Sequence, residues 1–327
     1  MNKTQLLLKA FLVCALTAVA CTPSAVLGND FPVRTLRIVV PFGPGGITDL
    51  IARQMAKGMS EKLGQSVIVE NKPGAGHVIS LQTLAQAQPD GYTILLGSNT
   101  GFTVTPHLYK NLGFDVATFK PIAPINTAPT VLAARPDFPA NNLSDLVRLT
   151  KSKPGSMNYG SFGIGSSAHL GMEIFKRDMG IEITHVPYKG DAPVFTALLA
   201  KEVDVAFITL FSAQARIRTG EIKALGLLQA ERIPTHPAIQ TTVEAGSANS
   251  DLPVWIAFFA HPATPDDIMK KLETVTRSIV SSAEFRDFLR SRGAEPLEID
   301  NVRFMQFIRT QSARIGPIVD AIGLKAQ

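Results

Sequence analysis

Three glycine-rich turns carry the side chains whose types and spacing could hold a ligand. The first is Gly43-Pro44-Gly45-Gly46, with Thr48 and Asp49 just behind it. It follows an apolar run and opens a stretch of helical spacing. Glycines there let the backbone approach a ligand, and the free N–H groups and dipole of a helix start favour an anion. The same residues could also make a tight turn with Thr48 or Asp49 as an ordinary cap. No Gly-Lys-Ser/Thr closes the turn, so it is not a P-loop.

The second turn, Gly97-Ser98-Asn99-Thr100, brings small hydrogen-bonding side chains to the same sheet edge; a plain turn would use the same residues. The third is the richest, running from Gly160 through Ser161, Gly163, Gly165, Ser166 and Ser167 to His169. Gly163-x-Gly165-x-x-Ala168 formally matches a dinucleotide fingerprint, with Glu182 about 20 residues on. The strand before it is short, however, and the match is the weaker alanine-ended form. A hydroxyl-rich anion loop at a helix start explains the same residues. His169 could orient a ligand or simply be a satisfied, partly buried histidine.

Covalent catalysis finds no footing. The sequence has no Gly-x-Ser-x-Gly elbow and no Ser-x-x-Lys. No two histidines are closer than His169 and His185, so there is no His-x-x-x-His pair for a metal. Trp255, the lone tryptophan, reads as core.

The elements that must position these turns alternate between strand and helix. Leu36–Phe42 reads as a buried strand, Ile47–Lys62 as a helix closed by Gly64, Ser66–Glu70 as a strand, Ile79–Ala87 as a helix and Tyr92–Leu96 as a strand. A second block follows. Its expected strands are Thr130–Ala134, Asn158–Gly160, Ile183–Pro187, Val203–Thr209 and Ala224–Leu228. Its expected helices run from Leu143 to about Lys151, over Ala168–Met179 and over Val194–Ala200. A polar, loop-like stretch fills 230–253. Val254–Ala260 is a strand, and three helical stretches end near Ala321. Such alternation implies α/β architecture with mostly parallel sheets.

The N-terminus carries a targeting signal. Lys3 and Lys9 precede an apolar run, Ala10–Ala20, and small residues follow up to Gly28. The run is too short to span a bilayer, which takes about 20 residues, and fits a secretory signal peptide over 1–28. Cleavage after Gly28 is preferred, with Ala20 as the alternative. Cys14 and Cys21, the only two cysteines, both lie in this segment. A mature chain would then have no disulfide and no thiolate site. Cys21 could instead be acylated as in a lipoprotein, although Ala18 stands where that signal usually has leucine. The 327 residues contain 45% hydrophobic and 18% charged residues, enough for a sizeable core. A net charge of +5 without basic runs argues against a nucleic-acid partner.

The segment from Val39 to Asp49 (VVPFGPGGITD), followed by Ala52-Arg53, resembles the opening of the Bug-type receptors of tripartite tricarboxylate transporters. Further matches follow in order: Leu63-Gly64-Gln65, Val69 to Gly76, Pro89 to Thr93, Gly97-Ser98, His185 to Gly190, Val203-Asp204, Glu244-Ala245-Gly246, Pro262 with Thr264-Pro265, and Gly293 to Pro296. Together they span nearly the whole chain after the signal. The chain departs from the family pattern at Pro44, His77 and Ala257, and in Phe258-Phe259-Ala260-His261. Pro44 and His77 bear on ligand identity rather than fold.

The resemblance implies a type II periplasmic binding protein with two α/β lobes. Residues 29–126 with 254–327 would form the first lobe and 127–253 the second, with crossings near Asn126 and Pro253 and closure about a hinge. It implies capture of a small carboxylate (a dicarboxylate, acidic amino acid or aromatic acid) without chemistry, cofactor or metal. The expected partner is a membrane transporter, or alternatively a sensor kinase; the expected state is a monomer in the periplasm. In this reading one carboxylate lies against Gly45, Gly46 and Thr48, with Asp49 nearby. Ser161, Gly165, Ser166, Ser167 and His169 approach from the other lobe, and Ser98 and Asn99 stand at the wall. Tyr188, Lys189 and Gly190 form a loop placed to close over the ligand. Asp204 matches a family position and could be structural.

Overall fold

A computed structural model of the chain describes residues 31–321 and 323, apart from 234, 235, 249 and 253. The expected signal peptide, with Cys14 and Cys21, lies outside the described residues, as does the expected crossing residue Pro253.

The chain begins with β1 (Leu36–Val40), α1 (Ile47–Leu63), β2 (Val67–Asn71), α2 (Val78–Ala85) and β3 (Thr93–Ser98). α1 forms where the apolar spacing puts Ile47, Ile51, Met55 and Met59 on one buried face. Lys62 in its last turn and a left-handed Gly64 at its C-terminus end it. A π-helical turn over Thr100–Val104 runs into α3 (Thr105–Leu108), and β4 (Lys120–Ala128) follows.

Past Pro129 the chain enters a second set of elements. These are β5 (Thr130–Ala134), α4 (Leu143–Ser152), β6 (Asn158–Ser161), α5 (Ser167–Met179), β7 (Thr184–Pro187), α6 (Asp191–Leu199), β8 (Val205–Thr209), α7 (Leu210–Thr219) and β9 (Lys223–Leu227). It returns with β10 (Val254–Ala260), α8 (Asp266–Val280), α9 (Ala283–Arg290), β11 (Glu295–Pro296) and α10 (Asn301–Ala321).

Two sheets result. The first has the order β11-β4-β10-β3-β1-β2, the second β7-β6-β8-β5-β9. In the first, β1, β2 and β3 are parallel, β10 lies antiparallel between β3 and β4, and β11 is antiparallel to β4. Four of its six strands therefore share one direction. In the second, only β5 opposes the other strands. The expected mostly parallel α/β sheets are thus present, each with antiparallel strands built in.

Burial follows strand position. All seven residues of β10 are buried, as befits a strand between two neighbours and under helices. β5 alternates: Leu132 and Ala134 face one core, Val131 and Ala133 the other. α10 serves two cores. Phe304 and Ile308 pack with Trp255 and Phe259 near the first sheet. Ile315 and Val319 pack in the cluster that holds Leu132 and Phe207 of the second. Trp255 is fully buried, and its indole N–H donates to Gln311 Oε1 at 2.8 Å, so it is a core residue.

Four elements differ from expectation, the first being α3, since no helix is expected over Thr105–Leu108. β4 has no counterpart in the sequence reading because Pro121 and Pro124 interrupt it. It tolerates both prolines because β11 pairs only at Asn126 and Thr127, leaving the proline end with one open edge. α7 has no counterpart in the sequence reading either. α6 starts at Asp191 rather than Val194, so its first turn includes Pro193, an acceptable position for proline.

Candidate ligand site

The loop from β1 to α1 is held from behind. Gly45 has φ +88°, a conformation that favours glycine. Gly46 is the N-cap of α1, with no side chain capping it. Asp49, one turn in, uses both oxygens. It accepts from the Gly45 N–H at 3.0 Å, from Arg53 Nε and Nη2 at 2.9 and 3.0 Å, and from Asn71 Nδ2 at 3.0 Å. Burial alone would raise its pKa, but the bonds from Arg53, Gly45 and Asn71 outweigh that and hold it below the usual carboxylate range. Asp49 therefore braces the loop instead of offering free acceptors.

The facing loop, from β6 to α5, is also self-supporting. Ser166 is the N-cap of α5, accepting the His169 N–H at 3.2 Å. The Gly165 N–H donates to His169 Nδ1 at 3.1 Å, so the neutral ring carries its proton on Nε2. Ser161 Oγ pairs with His185 Nε2 at 2.7 Å. The His169 and His185 rings stack with centroids 3.8 Å apart. Burial lowers His169 to about 4 and His185 to about 3, so both rings are neutral. The Ser167 hydroxyl is buried and has no hydrogen-bond partner among the described residues.

Between these loops lies a cavity of about 310 Å³. Phe42, His77, Tyr109, Phe162 and Tyr188 give it aromatic walls; Thr100, Ser166 and Lys189 add polar groups. A pit of about 20 Å³ is lined by Gly46, Ile47, Thr48, Ser98, Asp191 and Thr209, with Val254 and Ile256. Phe42 and Phe162 line both spaces, edge to face at 6.3 Å. The Gly43 N–H donates to the Lys189 carbonyl at 3.1 Å, joining the loop after β1 to the loop after β7.

The expected site residues thus divide. Gly46, Thr48 and Ser98 line the pit; Ser166, Tyr188 and Lys189 line the larger cavity. Gly45, Asp49, Asn99, Ser161, Gly165, Ser167, His169 and Gly190 belong to the supporting loops and line neither space. Asp204 sits apart. Its Oδ2 accepts the Asn158 N–H at 2.9 Å, at the end of β6 opposite the Ser161 loop.

Several lining residues lie outside the expected site set, His77 being marked only by its departure from the family pattern. His77 has φ +75°, with its ring nearly perpendicular to that of Phe42 at 4.5 Å between centroids and Nδ1 3.3 Å from Ser98 Oγ. Burial lowers its pKa to about 3. Phe42 reads as the end of an apolar run and Phe162 as a spacer in the glycine- and serine-rich turn, so neither marks a cavity wall by itself. Asp191 is buried at the start of α6, where burial pushes its carboxyl up against the pull of Thr209 and Ser212. An acidic residue directly after Gly190 was its signal, hidden by placing the helix start three residues too late.

A family model described as "Tripartite tricarboxylate transporter family receptor" matches residues 51–324. The chain is 63% identical over 313 residues to a UPF0065 protein of Bordetella pertussis, covering 96% of this chain and 97% of that protein. It is similar to the solved structure of the periplasmic binding protein BugD, with TM-score 0.85 and 33% identity, covering 91% of this chain and all of that one (100%). It is also similar to Rpa4515 of R. palustris solved with adipate, with TM-score 0.84 and 32% identity, over 90% of this chain and 99% of that one.

Proposed function

Since the chain belongs to the tripartite tricarboxylate transporter family of receptors, we propose that it captures a small carboxylate between two α/β lobes and delivers it to a membrane transporter of that type. The family is one of periplasmic solute-binding receptors, not enzymes. The lobes of this reading are residues 29–126 with 254–327, and 127–253. Export through residues 1–28 belongs to the same proposal. No helix among the described residues is long and apolar enough to cross a membrane.

The observation that carries the reading is the cavity of about 310 Å³, walled by loops that follow strands of both sheets. Clefts of this kind are the usual place for small-molecule sites. One helix start serves it, α5 at Ser166, which presents N–H groups and a positive dipole end. Lys189 adds a cation at the cavity wall. A hydrogen bond to a charged group contributes about 1.5–3 kcal/mol net, so several could hold a carboxylate at micromolar affinity without an arginine. The adipate in the Rpa4515 structure supports the carboxylate class.

Thermal unfolding of the ligand-stripped protein against mono-, di- and tricarboxylates, acidic amino acids, aromatic acids, sugars and dinucleotides tests this. A ligand at about 100 times its Kd stabilises by about 2.7 kcal/mol, a shift of several degrees. A rise confined to carboxylates is expected. A rise only with sugars or dinucleotides would overturn the reading.

A further inference from the structure

Asp191 gives the inner pit a negative wall. It is 5% exposed, in the first turn of α6. Its Oδ1 accepts the Thr209 N–H at 3.2 Å, and its Oδ2 accepts the hydroxyls of Thr209 at 2.6 Å and Ser212 at 3.2 Å. All three donors are neutral, and no cationic side chain pairs with Asp191 among the described residues. The start of α1 abuts it: a Cβ placed on Gly46 would stand 3.6 Å from the Asp191 Cβ. A buried carboxylate with only neutral partners repels a second anion and favours a cation. Burial also raises the Asp191 pKa, the mark of a charge short of compensation.

Size points the same way. A space of about 20 Å³ holds one water-sized group. An ammonium, a single heavy atom with three donors and a positive charge, fits a space of that size. The neighbouring larger cavity is lined by five aromatic rings and, among the described residues, one charged side chain, Lys189.

Resting on the carboxylate-receptor reading above, we propose that the ligand is a zwitterion, an α-amino acid with an apolar or aromatic side chain. Its ammonium fills the pit and pairs with Asp191. Its carboxylate stays outside the pit, on the side of the Ser166 turn and Lys189. Its side chain lies among Phe42, Tyr109, Phe162 and Tyr188.

Matched ligand pairs test this by calorimetry on the purified protein: L-phenylalanine against 3-phenylpropanoate, and L-leucine against 4-methylpentanoate. The amino acid of at least one pair is expected to bind about tenfold or more tighter than its partner, and Asp191→Asn to erase that ratio. The wild-type ratio alone decides the matter if the variant does not fold. A desamino acid that binds as tightly as its amino acid, or binding by dicarboxylates alone, overturns the proposal and leaves the carboxylate reading standing. If no carboxylate of any kind binds, both fall together.

Discussion

The amide of Gly43 and the carbonyl of Lys189 face each other at 3.1 Å, so backbone alone makes this direct tie between the loop after β1 and the loop after β7. A Cβ on Gly43 would stand 2.8 Å from that carbonyl oxygen, and a backbone atom cannot swing aside as a side-chain tip can. Gly43→Ala is therefore expected to disfavour this closed arrangement. Affinity for the cognate ligand should fall by about tenfold or more, since about 1.4 kcal/mol of closure energy is worth that factor. The ligand-free melting temperature should hardly move. Calorimetry and a thermal melt separate the two, and unchanged affinity would exclude this contact from closure.

Removing Asp49 should loosen the same loop from behind. Asp49→Ala strands Arg53 and the Gly45 N–H and leaves Asn71 with only its bond to the Phe42 carbonyl. Arg53 is half exposed and can turn to water. The loss is then that of the part-buried amide and backbone donors, about 2–3 kcal/mol. A urea midpoint shift at constant slope would show it.

Acid should destabilise the fold through its histidines. His77 and His185 titrate at about 3 and His169 at about 4 because burial opposes their charge. Unfolded histidine titrates near about 6.5. Below about pH 6.5 the unfolded chain takes up protons that the folded chain refuses. The contribution is complete above that pH and is lost as pH falls toward the folded values, at about 1.4 kcal/mol per pH unit for each ring. Asp191, held above its usual value, works the other way as its own protonation relieves its burial. Melting temperature should fall from about pH 6.5 to about pH 5. His77→Asn, which keeps a residue tolerant of positive φ, should flatten that slope. A parallel profile for the variant would show that His77 does not contribute.

Trp255 should report unfolding and ignore the ligand. It lies among Phe102, Phe259 and Phe304 and lines neither cavity. Its emission should be blue-shifted in the folded state, unchanged on ligand binding, and red-shifted in denaturant. Trp255→Phe leaves buried Gln311 without its donor and is expected to cost about 2–3 kcal/mol, read by circular dichroism.

The sequence marked local order well and spatial convergence poorly. β5 and β10 stand where apolar β-branched and aromatic runs put them, because strand burial is written in consecutive residues. β4 is invisible there, because its prolines are tolerated only through the shortness of β11, a fact about a neighbour far along the chain. The glycine turns pointed to the right loops but not to which atoms face inward. Asp49 and His169 looked available, yet their bonding is spent within their own loops. Asp191 fell before the expected helix start at Val194, and only the meeting of α1 with α6 turns it toward a cavity.

The placement of β10 sets the order in which the molecule can be completed. Every strand of the second sheet lies between residues 130 and 227, so a growing chain can close that sheet early. The first sheet cannot be closed then, because its inner strand begins only at Val254 and must slide between β3 and β4, already made. Until it arrives, those two strands present unpaired backbone edges, which invite pairing with other chains. A chain cut off before Val254 would keep the second sheet's strand pairing but lose Ile315 and Val319 from its core and leave the first sheet open, and its fate would be association, not a smaller working receptor.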